Sequence, residues 1–368
     1  MKNEVRHFFR QLTDFLFRRR SPALTTAKIG LKLTAIGAVG GWFINAKYKG
    51  DGGIWELSYH TSSTPQFLSS ASVLFGIIFI FVGVVWEVFR YRNELRLLER
   101  RKTIVIEQRG LVDTKDQPLA EQVKQDKKVF VDPIVVDIRE RLIDNKVTRP
   151  DLALEKVLNL PLSLKERTNS LAASDIEIIY GGIVPVPFAF TTGYLLDDES
   201  KIDVYDWDRD EPIWRTLSEG DDDEVFKVDI DKTGNGKAAV VAISFSYPVD
   251  KTAIDIAFPS ITKHHLSLED KDRNNHWSKQ KQNRLAGEFF EYCKKLQGMG
   301  IEHIHLVLAA QNSVAFRFGQ SYDKRNLPPI TVYQYERSDP IKYPWGVLLP
   351  QIPDRKPSCI MLESESAA

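Results

Sequence analysis

The chain has 368 residues, 50 basic and 50 acidic side chains, and two cysteines. That length allows about two domains with a sizeable core. Cys293 and Cys359 are too few for a disulfide framework and lack the C-x-x-C spacing of a zinc site, so an extracellular staple is excluded and a reducing compartment fits the bulk of the chain.

The zero net charge is a cancellation. Basic residues gather early, at Arg18, Arg19 and Arg20 and again from Arg90 to Lys102, whereas DDDE at Asp221–Glu224 is acidic and reads as a solvated loop. The start of the chain is amphipathic rather than apolar, unlike a cleaved signal peptide, and residues 1–24 read as a basic cytoplasmic N-terminus. Residues 25–90 read as a transmembrane hairpin. Its first span, 28–47, centres on LTAIGAVGGWFINA and needs Lys28 and Lys32 to snorkel. Its second, 67–89, contains the uncharged run SVLFGIIFIFVGVVW, with Glu87 its sole charge, and is long enough to cross a hydrocarbon core of about 30 Å. Gly37, Gly40 and Gly41 offer a small face for close helix packing. Lys and Arg enrich both outer flanks, while in the intervening loop Lys47 and Lys49 are balanced by Asp51 and Glu56, so both ends are expected inside.

Residues 91–127 read as a charged linker, and 128–358 as a module of alternating strands and helices. Strand-like Lys128–Ile138 is followed by helical Leu152–Leu171, broken at Pro161. Strand Ile176–Val184, short helix Phe188–Leu196 and strand Ile202–Tyr205 come next. A second pass runs through strand Ala238–Phe245, amphipathic helix Trp277–Leu296, strand His303–Ala309, short helix Ser313–Tyr322 and strand Ile330–Tyr335. In the long helix Leu285, Phe289, Cys293 and Leu296 form one apolar stripe, Lys294 and Lys295 complement the dipole, and Gly298 is the expected left-handed stop. Residues 359–368 read as a polar tail. The alternation predicts an α/β fold with parallel sheets.

The two passes resemble each other. Ile178, Ala189, Phe190 and Gly193 match Ile304, Ala315, Phe316 and Gly319 at one offset. After a short shift Ile202, Val204 and Tyr205 match Ile330, Val332 and Tyr333, and Trp214 corresponds loosely to Trp345. This predicts an internal duplication with halves 128–215 and 238–353. Open parallel sheets bind ligands beyond the carboxyl ends of their strands. The candidate liners are therefore Ser244, Phe245, Ser246, Gln311, Asn312, Ser313, Tyr333 and Tyr335, the serines and amides as donors and the rings for stacking. Each also fits ordinary strand-end packing.

Other motifs carry less. DIDKTG at Asp229–Gly234 imitates a calcium loop, but Val240 occupies its twelfth position. GNGK lacks the upstream Gly and following Ser or Thr of a P-loop and reads as a turn. His303 and His305 share a strand face without a carboxylate or thiolate beside them, so no metal site is assigned.

The run EHIHLVLAAQNSVAFRFGQSYDKRNLPPITVYQYE, followed by WGVLLP, resembles the C-terminal half of a SAVED domain, and AAVVAISFSYPV resembles that half's opening strand. The resemblance covers Lys128 to about Pro353 and is strongest in the last third. It implies two fused CARF-like Rossmannoid units behind a two-helix transmembrane hairpin. SAVED domains are sensors of cyclic oligonucleotides in bacterial antiphage signalling (CBASS), so the implied partners are a cyclic oligonucleotide, with a cyclic trinucleotide favoured, the lipid bilayer, and further copies of the chain assembled by ligand. The implied role is an inner-membrane effector of abortive infection, crossing the membrane twice with both termini cytoplasmic, without enzymatic activity, cofactor or DNA or RNA polymer. Many relatives carry Pro where this chain has Gln311 and Asn312, and the first half is more divergent and more acidic. Two alternatives stand beside this reading: a membrane-anchored hydrolase of the cyclic nucleotide using His303, His305 or Glu336, and a passive scaffold.

Overall fold

The computed structural model describes residues 22–39, 42–49, 54–61, 66–100, 102–111, 116–143, 146–169, 171–197, 201–231, 234, 236–351 and 355–362. The chain divides after residue 100 into two units.

In the first unit Pro22, whose fixed φ suits a helix start, opens α1 (Pro22–Val39). An antiparallel hairpin of β1 (Trp42–Lys49) and β2 (Ile54–Thr61) follows, then the 35-residue α2 (Gln66–Arg100). The expected first span, 28–47, is therefore corrected. The helix stops at Val39, and Trp42, Phe43 and Ile44 go into a strand, where aromatic and β-branched side chains pair well. Ala23, Ala27, Gly30 and Thr34 recur at steps of four and three along α1, and they meet Gly76 and Gly83 of α2. A Cβ at Gly30 would stand 2.6 Å from the Gly76 carbonyl oxygen, and one at Gly83 2.8 Å from the Ala23 oxygen. The Ser72 hydroxyl donates to the Leu33 carbonyl at 3.0 Å. Small residues thus bring the two backbones together within one chain, as they do between membrane helices. Gly40 and Gly41, and Arg18 to Arg20 with the rest of the basic N-terminus, lie outside the described residues. Among the described residues one helix is long and apolar enough to cross a membrane, Ser70–Asn93 with mean hydropathy 2.4. Only 17% of its apolar window is buried, which is not how the core helix of a soluble protein looks.

The second unit holds two sheets of matching topology. In the first, β3 (Lys102–Arg109) lies between β4 (Val131–Asp137) and β7 (Ile176–Ile183), with β8 (Ile202–Asp208) and antiparallel β9 (Ile213–Thr216) beyond. Its crossovers carry α3 (Leu119–Lys127), the short hairpin β5 (Leu142–Ile143) and β6 (Lys146–Val147), α4 (Pro150–Leu158), α5 (Leu160–Thr168) and α6 (Val186–Leu196). The second sheet repeats the order. β11 (Ala238–Ser244) lies between β12 (Thr262–Ser267) and β13 (His303–Ala309), followed by β14 (Ile330–Gln334) and antiparallel β15 (Trp345–Leu349). Strands β10 (Lys227–Asp231) and β16 (Ser358–Met361) add an antiparallel edge at either side. Helices α7 (Lys251–Ala257), α8 (Lys279–Gly298) and α9 (Asn312–Ser321) make the crossovers. The sequence matches fall on equivalent elements, and even in register: Ile178 pairs with Ile202 as Ile304 pairs with Ile330.

Four expectations need correction. Residues 91–127 are not a linker, because TIVIEQR lies in β3, an interior strand of the first sheet; the three apolar residues Ile104, Val105 and Ile106 are too short a run to stand out, and burial on both faces replaces alternation. The polar tail likewise begins later, since Cys359 to Met361 pair with β15. Nor is the acidic run DDDE merely solvated. Asp221 takes two bonds from Arg284, at 2.8 and 3.0 Å, and Lys281, 2% exposed, meets Asp222 at 2.5 Å and Glu224 at 3.0 Å. The run clasps the connector between the two sheets onto α8. The left-handed stop after α8 is Gly300, with φ 90°, rather than Gly298.

The halves share one hydrophobic core. At its centre α6 crosses α9, with Gly193 against the Phe316 carbonyl and Gly319 against the Phe190 carbonyl. A Cβ on either glycine would stand 2.0 Å from that oxygen. Tyr180 of β7 stacks on Phe316 with ring centroids 3.9 Å apart. The phrase FAFTTG and its echo VAFRFG are the two sides of this crossing.

Burial holds His264, His265, His276, His303 and His305 below the ordinary imidazole value, His305 at about 4. The unfolded chain takes up these protons near pH 6.5 and the folded one resists them, so stability is expected to fall as pH drops from about 6.5 towards 4. His305 alone accounts for roughly 3 kcal/mol. Glu336, whose carboxyl burial pushes up, opposes part of the trend. Urea unfolding midpoints across this range test it; a flat profile contradicts the buried neutral histidines.

Candidate functional site

The carboxyl ends of β11 and β13 meet the amino end of α9, and the loops there fold tightly on one another. The backbone N–H groups of Phe245, Ser246 and Tyr247 all point to the Ala309 carbonyl, at 3.2, 3.1 and 3.4 Å. The Ser244 hydroxyl accepts from the Val249 N–H at 3.1 Å, and the Ser246 hydroxyl donates to the Asn275 side-chain oxygen at 2.9 Å. The Gln311 amide donates to the Tyr247 hydroxyl at 2.9 Å and to the Arg273 carbonyl at 3.0 Å. The loop after β12, Asp270 to Trp277, is thereby laced to the loops after β11 and β13.

The first half reaches the same place. The Asn312 oxygen accepts from the Val184 N–H at 2.9 Å, just past the end of β7. Asp206, near the end of β8, accepts from the Ser313 N–H at 3.0 Å, where a carboxylate complements the positive end of α9. The Ser313 hydroxyl accepts from Gln282 at 2.9 Å. His276 lies 3.7 Å from Asp206, 2% exposed, with neither ring nitrogen hydrogen-bonded; burial lowers its pKa and keeps the ring neutral. At the matching entrance of α6 stand Pro185 and Pro187, which bring no N–H.

Ser244, Ser246, Gln311, Asn312 and Ser313 are therefore gathered at one edge, with their polar atoms engaged in fixing the loops. Two expected stacking rings are core instead. Phe245 is fully buried, edge-on to Phe226 and Phe318. Tyr333 is 2% exposed, its hydroxyl 2.9 Å from His305 Nδ1 and its ring edge-on to Phe258. Both point inward because alternate residues of a strand end face the packed layer, which a list of aromatic residues near strand ends does not reveal. Tyr335, beyond the end of β14, is exposed at 43%, with Tyr343 tilted against it at 5.5 Å. The structure adds Tyr247, 37% exposed, along with Arg273, Asn275, Asp206 and His276. The polar cluster DRNNH at Asp272–His276 is a signal that becomes readable once TKHHLS is recognised as the strand before it.

His303 and His305 bond Thr331 and Tyr333 of the neighbouring strand, both at 2.9 Å. Among the described residues no group of three metal-ligating side chains occurs.

Two family models match the chain, and they meet between residues 154 and 161, within the second unit. Residues 161–349, just over half of the chain, match the family model of the SMODS-associated and fused to various effectors sensor domain, SAVED. Residues 2–154 match that of the SAVED-fused 2TM effector domain. Nothing among curated proteins matches. Similar solved structures include the Acinetobacter baumannii Cap4 SAVED/CARF-domain containing receptor with the cyclic trinucleotide 2'3'3'-cAAA, at 13% identity and TM-score 0.46, covering 74% of this chain and 56% of that one. The same receptor with 3'3'3'-cAAA gives 13% and 0.47, covering 74% and 57%. The Moraxella osloensis Cap4 receptor gives 13% and 0.42, covering 74% and 56%. The chain spans somewhat over half the length of these structures.

Proposed function

This chain belongs to the SAVED sensor-domain family, fused to a two-transmembrane effector domain, and from that premise we propose that it is a receptor and an effector in one polypeptide. The sensor binds a cyclic oligonucleotide, a cyclic trinucleotide being favoured, at the edge where the loops after β11, β12 and β13 meet α9. Ligand assembles several copies, and their membrane segments, set in the bacterial inner membrane with both termini cytoplasmic, disrupt the bilayer and abort infection. The observation that carries this reading is the order of the two family matches: a membrane-effector segment runs directly into a sensor. A ligand drives assembly only if it binds the assembled state better, and a ring of phosphates and bases exposed at a loop edge is able to bridge copies.

The edge offers chemistry suited to such a ligand. Tyr247 and Tyr335 present partly exposed rings for bases, and Arg273, paired with Asp210 at 2.6 Å, is a cation at the rim. The reading is non-enzymatic. The histidines that a hydrolase would use are committed to hydrogen bonds within the sheet, and Glu336 is 8% exposed.

Calorimetry on the full-length protein in detergent tests the sensor, and dye release from vesicles tests the effector. Cyclic triadenylate is expected to bind and to trigger release. Tyr247→Ala is expected to weaken binding by about 1 to 3 kcal/mol, the range for a base stacked on an aromatic ring. Failure of every cyclic di-, tri- and tetranucleotide to bind would remove the proposal, and binding without release would leave the scaffold reading.

A further inference from the structure

A cavity of about 650 Å³ opens between α8, α9 and the start of β8, lined among others by Lys201, Lys279, Asn283, Phe290, Arg317 and Asn326. It lies at the carboxyl ends of α6 and α9. Ile202, at its wall, begins β8, whereas Asp206 of the loop edge lies four residues on, about 13 Å along the strand. The cavity and the edge are thus at opposite ends of the paired helices.

Arg317 is the unusual member. It is 7% exposed, and its guanidinium bonds two neutral acceptors, the Gln320 side-chain oxygen at 2.8 Å and the Ile202 carbonyl at 3.0 Å. Its Nε–H has no acceptor, and no carboxylate forms an ion pair with it among the described residues. Gln320 is itself oriented by a bond to the Asp197 carbonyl, which keeps its oxygen on the arginine. Burying a cation without a hydrogen-bonded counter-ion is costly; burial pulls this guanidinium down to about 10, and the Asp203 carboxylate, held by Lys279 and Lys127, offsets that only in part. Such a group persists where an anion completes it. Around it the cations are in excess: Lys279 and Lys127 share Asp203, at 2.7 and 3.5 Å. The cavity's carboxylates are already engaged, Asp197 by Lys324 at 2.7 Å and Asp323 by Asn326 and the Arg325 N–H. Phe290 gives an apolar wall, and beside it Gly287 faces open space, with nothing within 4 Å of a Cβ built there. The volume suits a ligand of nucleotide size.

We propose that this cavity is a second site, separate from the loop edge, which takes a phosphate-bearing ligand of mononucleotide size. The phosphate sits among Arg317, Lys279 and Lys201, a planar base lies along Phe290 over Gly287, and the amides of Asn283 and Asn326 meet the sugar hydroxyls. An arginine suits a phosphate oxygen better than a lysine does, because its donors are fixed in a plane.

The experiment uses full-length protein in detergent, with adenosine monophosphate, inorganic phosphate and cyclic triadenylate as probes, read by calorimetry beside thermal unfolding without ligand. Gly287→Phe fills the cavity from an exposed helix position and improves on glycine's helix propensity, so it is expected to fold. It should weaken adenosine monophosphate binding at least tenfold with no fall in the unfolding midpoint. Arg317→Gln should weaken both that probe and inorganic phosphate, and Tyr247→Ala should change neither. Absence of binding by adenosine monophosphate and phosphate at millimolar concentration overturns the proposal, as does unchanged binding by Gly287→Phe. If Tyr247→Ala weakens adenosine monophosphate as much as Gly287→Phe does, the probe is reading the edge and the second site falls. Cyclic triadenylate bound equally by the unmodified protein and Gly287→Phe supports two separate sites; its loss in Gly287→Phe alone puts the sensing site in this cavity and overturns their separateness. Failure of cyclic triadenylate to bind at all bears on the sensor reading and leaves the adenosine monophosphate result to stand by itself.

Discussion

Gly319→Ala is expected to destabilise the second unit by about 3 kcal/mol, and Gly193→Ala by a similar amount. Each added methyl would stand 2.0 Å from a backbone carbonyl oxygen of the opposite helix, where no side-chain rotation relieves the clash. The helices must separate, and with them the Tyr180–Phe316 stack and the layer shared by both sheets. Because one separation relieves both clashes, the double variant should cost clearly less than the sum of the singles, which independent sites would not show. Gly287→Ala, facing open space on α8, is the control and should stabilise slightly. Denaturant unfolding of residues 101–368 reads all four. A loss below about 1 kcal/mol for Gly319→Ala would mean that the close crossing does not exist in solution.

The second large effect concerns where the sensor begins. A fragment of residues 101–368 should be soluble, unfold cooperatively and keep ligand binding, whereas one of residues 128–368 should fail to fold. The shorter fragment lacks β3, which pairs with β4 on one side and β7 on the other, so two strands would lose their neighbour and Ile104 and Ile106 would leave the shared core. It also lacks α3, whose Leu119 and Val123 cover the other face of the sheet. Circular dichroism and size exclusion separate the cases, and a well-folded 128–368 fragment would refute the sheet order described here.

The second half was the more legible part of the sequence, for physical reasons. IHLVLAA is an apolar strand interrupted only by His305, and α8 carries its stripe at Leu285, Phe289, Cys293 and Leu296, all buried, over about three turns. In the first half TIVI is only four residues long and follows directly on the charged end of α2, so helix continuity hid it. TKHHLS was hidden differently. Lys263, His264 and His265 are polar by type yet buried, their cost met by partners such as Asp255 at 3.1 Å and Tyr292 at 2.8 Å, and pattern reading does not see partners. At the edge, the expected residues after β11 and β13 do lie side by side. Sequence order did not tell which aromatic faced out, because Tyr247 and Tyr333 both stand at strand ends and only packing distinguishes them. Arg317 was invisible for the same reason, as one charged residue inside VAFRFG.

The paired helices α6 and α9 have a consequence for the symmetry of this edge. Their crossing is nearly symmetric, yet their entrances are not: Gln311 and Ser313 occupy the places taken by Pro185 and Pro187 in the other half. One entrance offers amide donors and side chains that anchor neighbouring loops; the other has had two of its amide hydrogens removed. A fold assembled from two like halves therefore presents a single polar mouth at this edge. A molecule with its own rotational symmetry would meet a seat that has none, so its repeating units, chemically identical in solution, would become inequivalent on binding.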